Sequence, residues 1–376
     1  MSRTQVVVLG AGRVGRAMAW DLARDFAVTA VDVSESNLHW LAQRNVATVK
    51  ADVSDAGELA RVVREASWVV NAVPGFLGYR VLSELVALGK NVVDISFMPE
   101  DPRALDGEAK AKGLLVAVDC GVAPGLSHLV LGYWYARAAK LETFTCYVGG
   151  LPRERVLPWE YKAPFSPVDV LEEYTRPARL RRNGAVVTLP AMAEPELVYI
   201  PEVGTLEAFL TDGMRTALET VPIPHMEEKT LRYPGYREKI LLLKASGLLD
   251  GEPVEVSGVE VSPLSVTAKA LAKAWQFAEN EADLTVMVLK AEGFFAGERQ
   301  ERSLFLYDSF DPATGLSSMA RSTGFTATAV LRALVAGYHR EPGVLVPEVL
   351  GQNADLTRFV VSSLRERGLA IRAEDL

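Results

Sequence analysis

Through the first third of the chain, short and wholly apolar runs alternate with stretches whose apolar positions recur every three or four residues. The runs at 6–9, 27–31, 46–49, 68–73, 91–95 and 114–118 read as buried strands. The spacing between them predicts helices over 13–24, after Ser34 as N-cap, from Ser54 with Leu59, Val62 and Val63 on one face, over 78–88 and over 106–112. Strands that are apolar on both faces and separated by helices imply a parallel sheet covered on both sides.

The pattern changes after Pro124. A helix is predicted over 126–138, then a strand over 142–148 that alternates as if packed on one face. Further strands are predicted at 185–189, 254–261 and 284–291, with a helix over 265–279. The turn-rich stretch 308–315 separates these from two apolar helices over 319–337 and 356–368. The fold expected is α/β: a Rossmann-type doubly wound parallel sheet, plus a second α+β domain on a mostly antiparallel sheet. The expected boundaries are 1–123 for the first domain, with 317–376 packing back on it, and 124–316 for a substrate-binding and dimerisation domain.

The first strand runs directly into Gly10-Ala11-Gly12-Arg13-Val14-Gly15, which opens the first helix. A lone Gly-rich hexapeptide is weak evidence, but here strand, glycines and helix are in register. Gly10 allows the tight turn, Gly12 lets a pyrophosphate approach the backbone, and Gly15 lets the helix pack on the sheet. The free N–H groups and dipole at the helix start attract the phosphates. Asp32 ends the second strand, where a carboxylate accepts hydrogen bonds from the adenosine ribose and repels a 2′-phosphate. That favours NAD over NADP. Asp52 and Val53 follow the third strand, beside the expected adenine edge, and Asn71-Ala72-Val73 would flank the nicotinamide ribose. An FAD site shares the fingerprint, but six regular strands with no other flavin signal favour NAD.

The 376 residues exceed what one core usually organises, so two domains are the default. A net charge of −8 offers no footprint for nucleic acid, and the cluster Arg179, Arg181, Arg182 is too small to supply one. No apolar run approaches the roughly 20 residues of a membrane span. Two cysteines make no disulfide framework, and a cytoplasmic location is expected. The four histidines stand far apart, without metal-ligand spacing.

The stretch from Asp119 through Cys120-Gly121-Val122-Ala123-Pro124-Gly125 to His128 carries a more specific signal. Further blocks are Tyr147 to Pro152, Phe165-Ser166-Pro167, Thr211 to Thr216 and Thr230 to Tyr236. Together these resemble the saccharopine dehydrogenase-like family, and within it the lysine 6-dehydrogenase pattern. The resemblance implies a Rossmann domain joined to a domain that binds an amino-acid substrate and dimerises. It further implies NAD-dependent oxidation of L-lysine at the ε-carbon, with release of ammonia and cyclisation of the aldehyde. The saccharopine-cleaving enzymes carry Asp where this chain has Ala123, and tend to have Tyr where Phe97 follows Ser96. Saccharopine dehydrogenase, carboxynorspermidine dehydrogenase and a non-catalytic NAD sensor are the competing readings.

Oxidising an amine requires a group that takes its proton. Asp119, near the sheet's carboxyl edge, is the first candidate; Asp94 and Asp212 follow, each open to a plain capping role. Cys120 either contacts nicotinamide or substrate or is a buried small hydrophobe. An α-carboxylate calls for a bidentate Arg. The resemblance assigns Arg232 and Thr230 to the substrate, with Arg215 second and an ordinary ion pair as the alternative. Tyr147 and Tyr161 either line a pocket or simply pack, and His128 and His225 are open to a structural role.

Overall fold

The computed structural model describes residues 3–163, 167–278 and 281–376. Phe165 and Ser166 of the Phe165-Ser166-Pro167 block, and Glu279 at the end of the predicted 265–279 helix, lie outside these. The chain divides into two compact units.

The first unit comprises Met1–Lys140, Met319–Ile371 and Asp375–Leu376. Its strands are β1 (Gln5–Leu9), β2 (Ala27–Asp32), β3 (Ala47–Lys50), β4 (Trp68–Asn71), β5 (Asn91–Asp94) and β6 (Leu115–Ala117). They lie in the order 6-5-4-1-2-3, all parallel, with a seventh strand, Gly343–Leu345, beside β6. β1 therefore has β2 on one side and β4 on the other, and the chain reverses its direction of winding there. That switch point is where a crevice opens at the carboxyl ends of the strands. Helices α1 (Arg13–Leu22), α2 (Glu35–Ala42), α3 (Ala56–Val63), α4 (Gly75–Ala87) and α5 (Asp106–Ala111) link the strands. On one face Leu59, Val63, Val81, Leu82 and Leu85 pack over Val7, Val69 and Val92.

Several helix starts differ from expectation. Asp55 rather than Ser54 caps α3, its carboxylate accepting from Glu58 N. Ser34 is the N-cap of α2 as expected, but its hydroxyl meets Ser36 Oγ and makes no capping bond. β4 stops at Asn71, and the turn at Pro74 starts α4 three residues before the expected Gly78. The helix Leu126–Tyr135, expected in the second domain, belongs to the first unit. Gly132 lets it meet the Glu348 backbone so closely that a Cβ would lie 2.0 Å from that carbonyl oxygen.

The second unit comprises Leu141–Ser318 and Arg372–Glu374. Its main sheet has nine strands among the described residues, in the order 196–200, 204–210, 225–232, 138–152, 283–295, 298–309, 370–373, with 178–182 attached to 225–232 and 185–189 paired to 178–182. Most pairings in this sheet are antiparallel, as expected, while Ala138–Pro152 and His225–Arg232 pair in parallel. The strand predicted at 142–148 is the longer Ala138–Pro152. The strand predicted at 254–261 is a separate hairpin, Val254–Val256 and Val259–Val261, turned by Ser257 and Gly258 at φ of 53° and 81°. Both turn residues lie in the left-handed region that a two-residue hairpin demands.

Candidate functional site

At the switch point the loop after β1 is built by contacts that only glycine permits. Gly10 has φ of 86°, and a Cβ there would fall 2.6 Å from Ala72 O. At Gly15 a Cβ would fall 1.8 Å from Gly10 O, so helix and loop touch backbone to backbone. A Cβ on Gly12 meets nothing within 4 Å, and Gly12 stands at the start of α1 where no side chain caps the helix. Uncapped N–H groups beside open space are a cradle for an anion.

Asp32, at the end of β2, is bonded to this loop. Its Oδ2 accepts from Ala11 N at 2.7 Å and its Oδ1 from Ser34 N at 2.7 Å, with the Asn37 amide 3.3 Å from Oδ2. Asp52 is exposed at the end of the neighbouring strand and accepts from both N and Oγ of Ser54, bonds that lower its pKa. Arg13 and Val14 begin α1, and Val53 is half-buried in the loop after β3.

A second cluster sits across the ends of β4, β5 and β6. Asp94 is fully buried; its carboxylate accepts from Asn71 Nδ2 at 2.6 Å, from Ser96 N at 2.6 Å and from Ser96 Oγ. Burial pushes its pKa up from 3.8 to about 7, with Asp119 adding to the rise and the Ser96 and Asn71 bonds opposing it. The Asp94 carbonyl accepts from Cys120 N at 2.9 Å, which ties β5 to the loop carrying Asp119 and Cys120. Asp119 is buried with φ of 53°, a strained placement of the kind held at functional sites. Burial, then Asp119 and Asp94, raise the Cys120 thiol, whose Sγ donates to Val118 O. A thiol so placed is no nucleophile. α4 seats on Ser96 through Gly78, where a Cβ would meet Ser96 Oγ at 2.7 Å. Ser96 is buried and Phe97 half-buried beside it.

In the second unit the strand 225–232 places Glu228, Thr230 and Arg232 on one face. All three are buried. Arg232 donates to Tyr174 Oη at 2.9 Å and to Leu231 O at 2.9 Å, and pairs with Glu173 at 3.4 Å. Its guanidinium lies 4.7 Å from the Tyr161 ring centre, and Tyr161 in turn packs on Tyr236 and Trp275. Burial opposes its charge, but Tyr174, Tyr161 and Glu173 outweigh it and raise its pKa. Thr230 Oγ1 meets Thr211 Oγ1 at 2.9 Å. Arg215 is buried at φ of 43°.

The structure gives other candidates ordinary duties. Asp212 is held by the Arg179 guanidinium at 2.9 and 3.0 Å and by Arg179 N, so it is a structural acid. His128 is buried against Ser127 Oγ, His225 is exposed, and Tyr147 donates to Glu196. Sequence reasoning missed Glu173, Tyr174 and Glu228. Alternation along 225–232 could have shown Glu228 sharing a face with Thr230 and Arg232, but nothing in the chain announces that both faces of this strand are covered.

These features define a Rossmann-type oxidoreductase class with a dinucleotide cradle and an acid-rich carboxyl edge. Residues 6–117 match the family described as Saccharopine dehydrogenase NADP binding domain, and residues 121–369 match Saccharopine dehydrogenase C-terminal domain. The chain belongs to the saccharopine dehydrogenase family, whose members are amino-acid dehydrogenases acting on CH–NH donors. It is 23% identical over 421 residues to a Saccharomyces cerevisiae protein named saccharopine dehydrogenase [NADP(+), L-glutamate-forming], covering 91% of this chain and 93% of that one. It is 25% identical over 227 residues to alpha-aminoadipic semialdehyde synthase of Arabidopsis thaliana, covering 56% of this chain and only 21% of that protein. The solved apo saccharopine dehydrogenase (L-Glu forming) from Saccharomyces cerevisiae shares the fold. Its TM-score is 0.80 at 21% identity, over 98% of this chain and 99% of that one.

Proposed function

We propose that the protein oxidises the C–N bond of a lysine-type amino acid with NAD, most simply L-lysine at its ε-carbon. The observation that carries this reading is the chemistry of the first unit's carboxyl edge. Asp32 ends the strand beside the glycine loop, where its charge would repel a 2′-phosphate, and by the family resemblance Ala123 takes the place of an acid in the saccharopine-cleaving members. The nicotinamide dinucleotide fits the residues present, because the space over Gly12 and the uncapped start of α1 suit its pyrophosphate. When bound, it accepts the hydride that leaves the substrate carbon.

The chain's own residues supply the rest. Gly10, Ala11, Gly12, Arg13 and Val14 hold the phosphates, and Asp32 holds the adenosine ribose. Asp52 and Val53 flank the adenine, and Asn71, Ala72 and Val73 the second ribose. Asp119 takes the proton from the ammonium, since only a neutral amine can stabilise the carbon losing hydride. Asp94, buried and bonded to Asn71 and Ser96, fixes the loop carrying Asp119 through its bond to Cys120 N. Water then adds to the imine carbon, ammonia leaves and the aldehyde closes on the α-amine. Arg232 and Thr230 hold the α-carboxylate.

Purified protein given L-lysine and NAD should form NADH, read by its absorbance. The near full-length match to the yeast saccharopine dehydrogenase favours a second reading, oxidation of the secondary amine of saccharopine. Turnover of saccharopine with NADP, and none of lysine with NAD, would establish that reading instead.

A further inference from the structure

We propose that Glu228 recognises the α-ammonium of the substrate, forming with Arg232 a pair that reads the zwitterionic head of an amino acid. This rests on the reading of the substrate as a lysine-type amino acid, and adds to it a residue that no resemblance supplied.

The first observation is an unsatisfied acid. Glu228 is buried, its Oε2 has no hydrogen-bond partner among the described residues, and its Oε1 has one long contact, 3.4 Å from Thr211 Oγ1. A buried carboxyl without partners is costly, and native proteins keep such groups where something else completes them. Neighbouring acids are better provided for: Asp212 has Arg179, Glu173 has Arg232, and Glu207, opposite Arg232 on the next strand, accepts from Gly235 N. Glu228 has no ion pair among the described residues. Burial, then Glu173 and Asp212, raise its pKa from 4.5 to about 8, with Thr211 and Arg215 offsetting only part. An arriving ammonium would supply the missing charge.

The second observation is a space kept for the carboxyl. A Cβ on Gly213 would fall 1.8 Å from Glu228 Oε1 and 1.9 Å from the carboxyl carbon. The backbone of the Thr211 to Thr216 loop is thus moulded on this acid, and Thr216 Oγ1 in the same loop is also buried without a partner.

The third is the row on the strand. Glu228, Thr230 and Arg232 alternate onto one face, giving an anion, a hydroxyl and a cation. Glu173 acts electrostatically on both Glu228 and Arg232, so it stands in the neighbourhood of the two. Chemistry decides which substrate amine belongs here. The amine on the carbon that loses hydride must be neutral, and a buried carboxylate beside it would hold its proton. The α-ammonium stays charged throughout, next to the carboxylate that an Arg would hold.

The test is calorimetric binding to the protein–NADH complex, where no turnover occurs. Wild type should bind L-lysine at least ten-fold more tightly than 6-aminohexanoate, which lacks the α-amine, and should release a proton on binding lysine near pH 7. E228Q should bind the two with equal affinity and release no proton; E228D, keeping the charge, should restore part of the preference. Undiminished preference for lysine in a folded E228Q overturns the assignment. If wild type binds saccharopine and not lysine, the substrate reading falls, and proton release on saccharopine still decides Glu228: loss in E228Q upholds it, retention overturns it. Binding of no amino acid overturns both.

Discussion

The backbone N–H of Ala11 donates to Asp32 Oδ2 over 2.7 Å, so the glycine loop and the acid at the end of the next strand are one unit. Asp32 therefore holds the loop, and in the function proposed above it also presents charge toward the adenosine ribose. Asp32→Ala should weaken NADH binding at least ten-fold and shift the NADH/NADPH affinity ratio toward NADPH, read by fluorescence titration of both. An unchanged ratio would remove the charge argument for NAD.

The three loop glycines should fail in different ways. Gly12 has an ordinary φ of −62° and open space around its missing Cβ. Gly12→Ala should fold with an unchanged thermal midpoint yet bind dinucleotide at least ten-fold more weakly, because the methyl group fills the cradle. Gly15→Ala instead drives a Cβ into Gly10 O and should lower the midpoint itself. Equal stability loss in both variants would mean that the space over Gly12 holds no ligand.

How far the chain revealed these sites follows from how local each signal is. The parallel sheet was legible because strands covered on both faces are apolar throughout, and the cradle because its parts are contiguous. The 254–261 hairpin was misread because Ser257-Gly258 sits inside an unbroken β-type pattern, where only φ shows the turn. The helix Leu126–Tyr135 was placed in the wrong domain because its partner, Glu348, lies more than two hundred residues away, which no local period records. Arg232 was assigned by resemblance alone; its setting among Tyr161, Tyr174 and Glu173 depends on helix and strand packing. Glu228 was invisible because burial, the property that makes it unusual, belongs to the fold.

Asp94 and Glu228 give the protein a defined pH dependence of stability. Both carboxyls are raised in the folded state, from 3.8 to about 7 and from 4.5 to about 8. The folded protein thus binds more protons than the unfolded chain between these limits, and stability falls as pH rises through the window. What the two groups contribute is complete below about pH 4 and gone above about pH 8. The thermal midpoint of D94N/E228Q should fall less than that of wild type between pH 5 and 8, and the double variant should be the more stable at pH 8. A parallel pH course in both proteins would contradict the protonated assignments.

Asp21 should prove the most sensitive structural acid of the first unit. It is completely buried on α1 and carries two cations from the C-terminal helices, Arg332 at 2.7 Å and Arg367 at 2.8 Å, with Thr328 Oγ1 donating at 2.6 Å. Burial disfavours its charge, yet the two guanidiniums win and hold its carboxyl below the usual range. Removing one partner of a buried network strands the others, at about 3–5 kcal/mol. Asp21→Ala should therefore lower the thermal midpoint by roughly 10 °C. Asp21→Asn keeps the shape and one acceptor, and should lose less. Because α1 also begins at the cradle, dinucleotide affinity at low temperature separates local from global damage. With the fold intact, NADH should bind within about three-fold of wild type, since Asp21 sits at the far end of α1 from Gly12. A stable Asp21→Ala protein with weakened NADH binding would show instead that the Arg332–Asp21–Arg367 cluster sets the position of the phosphate-binding loop.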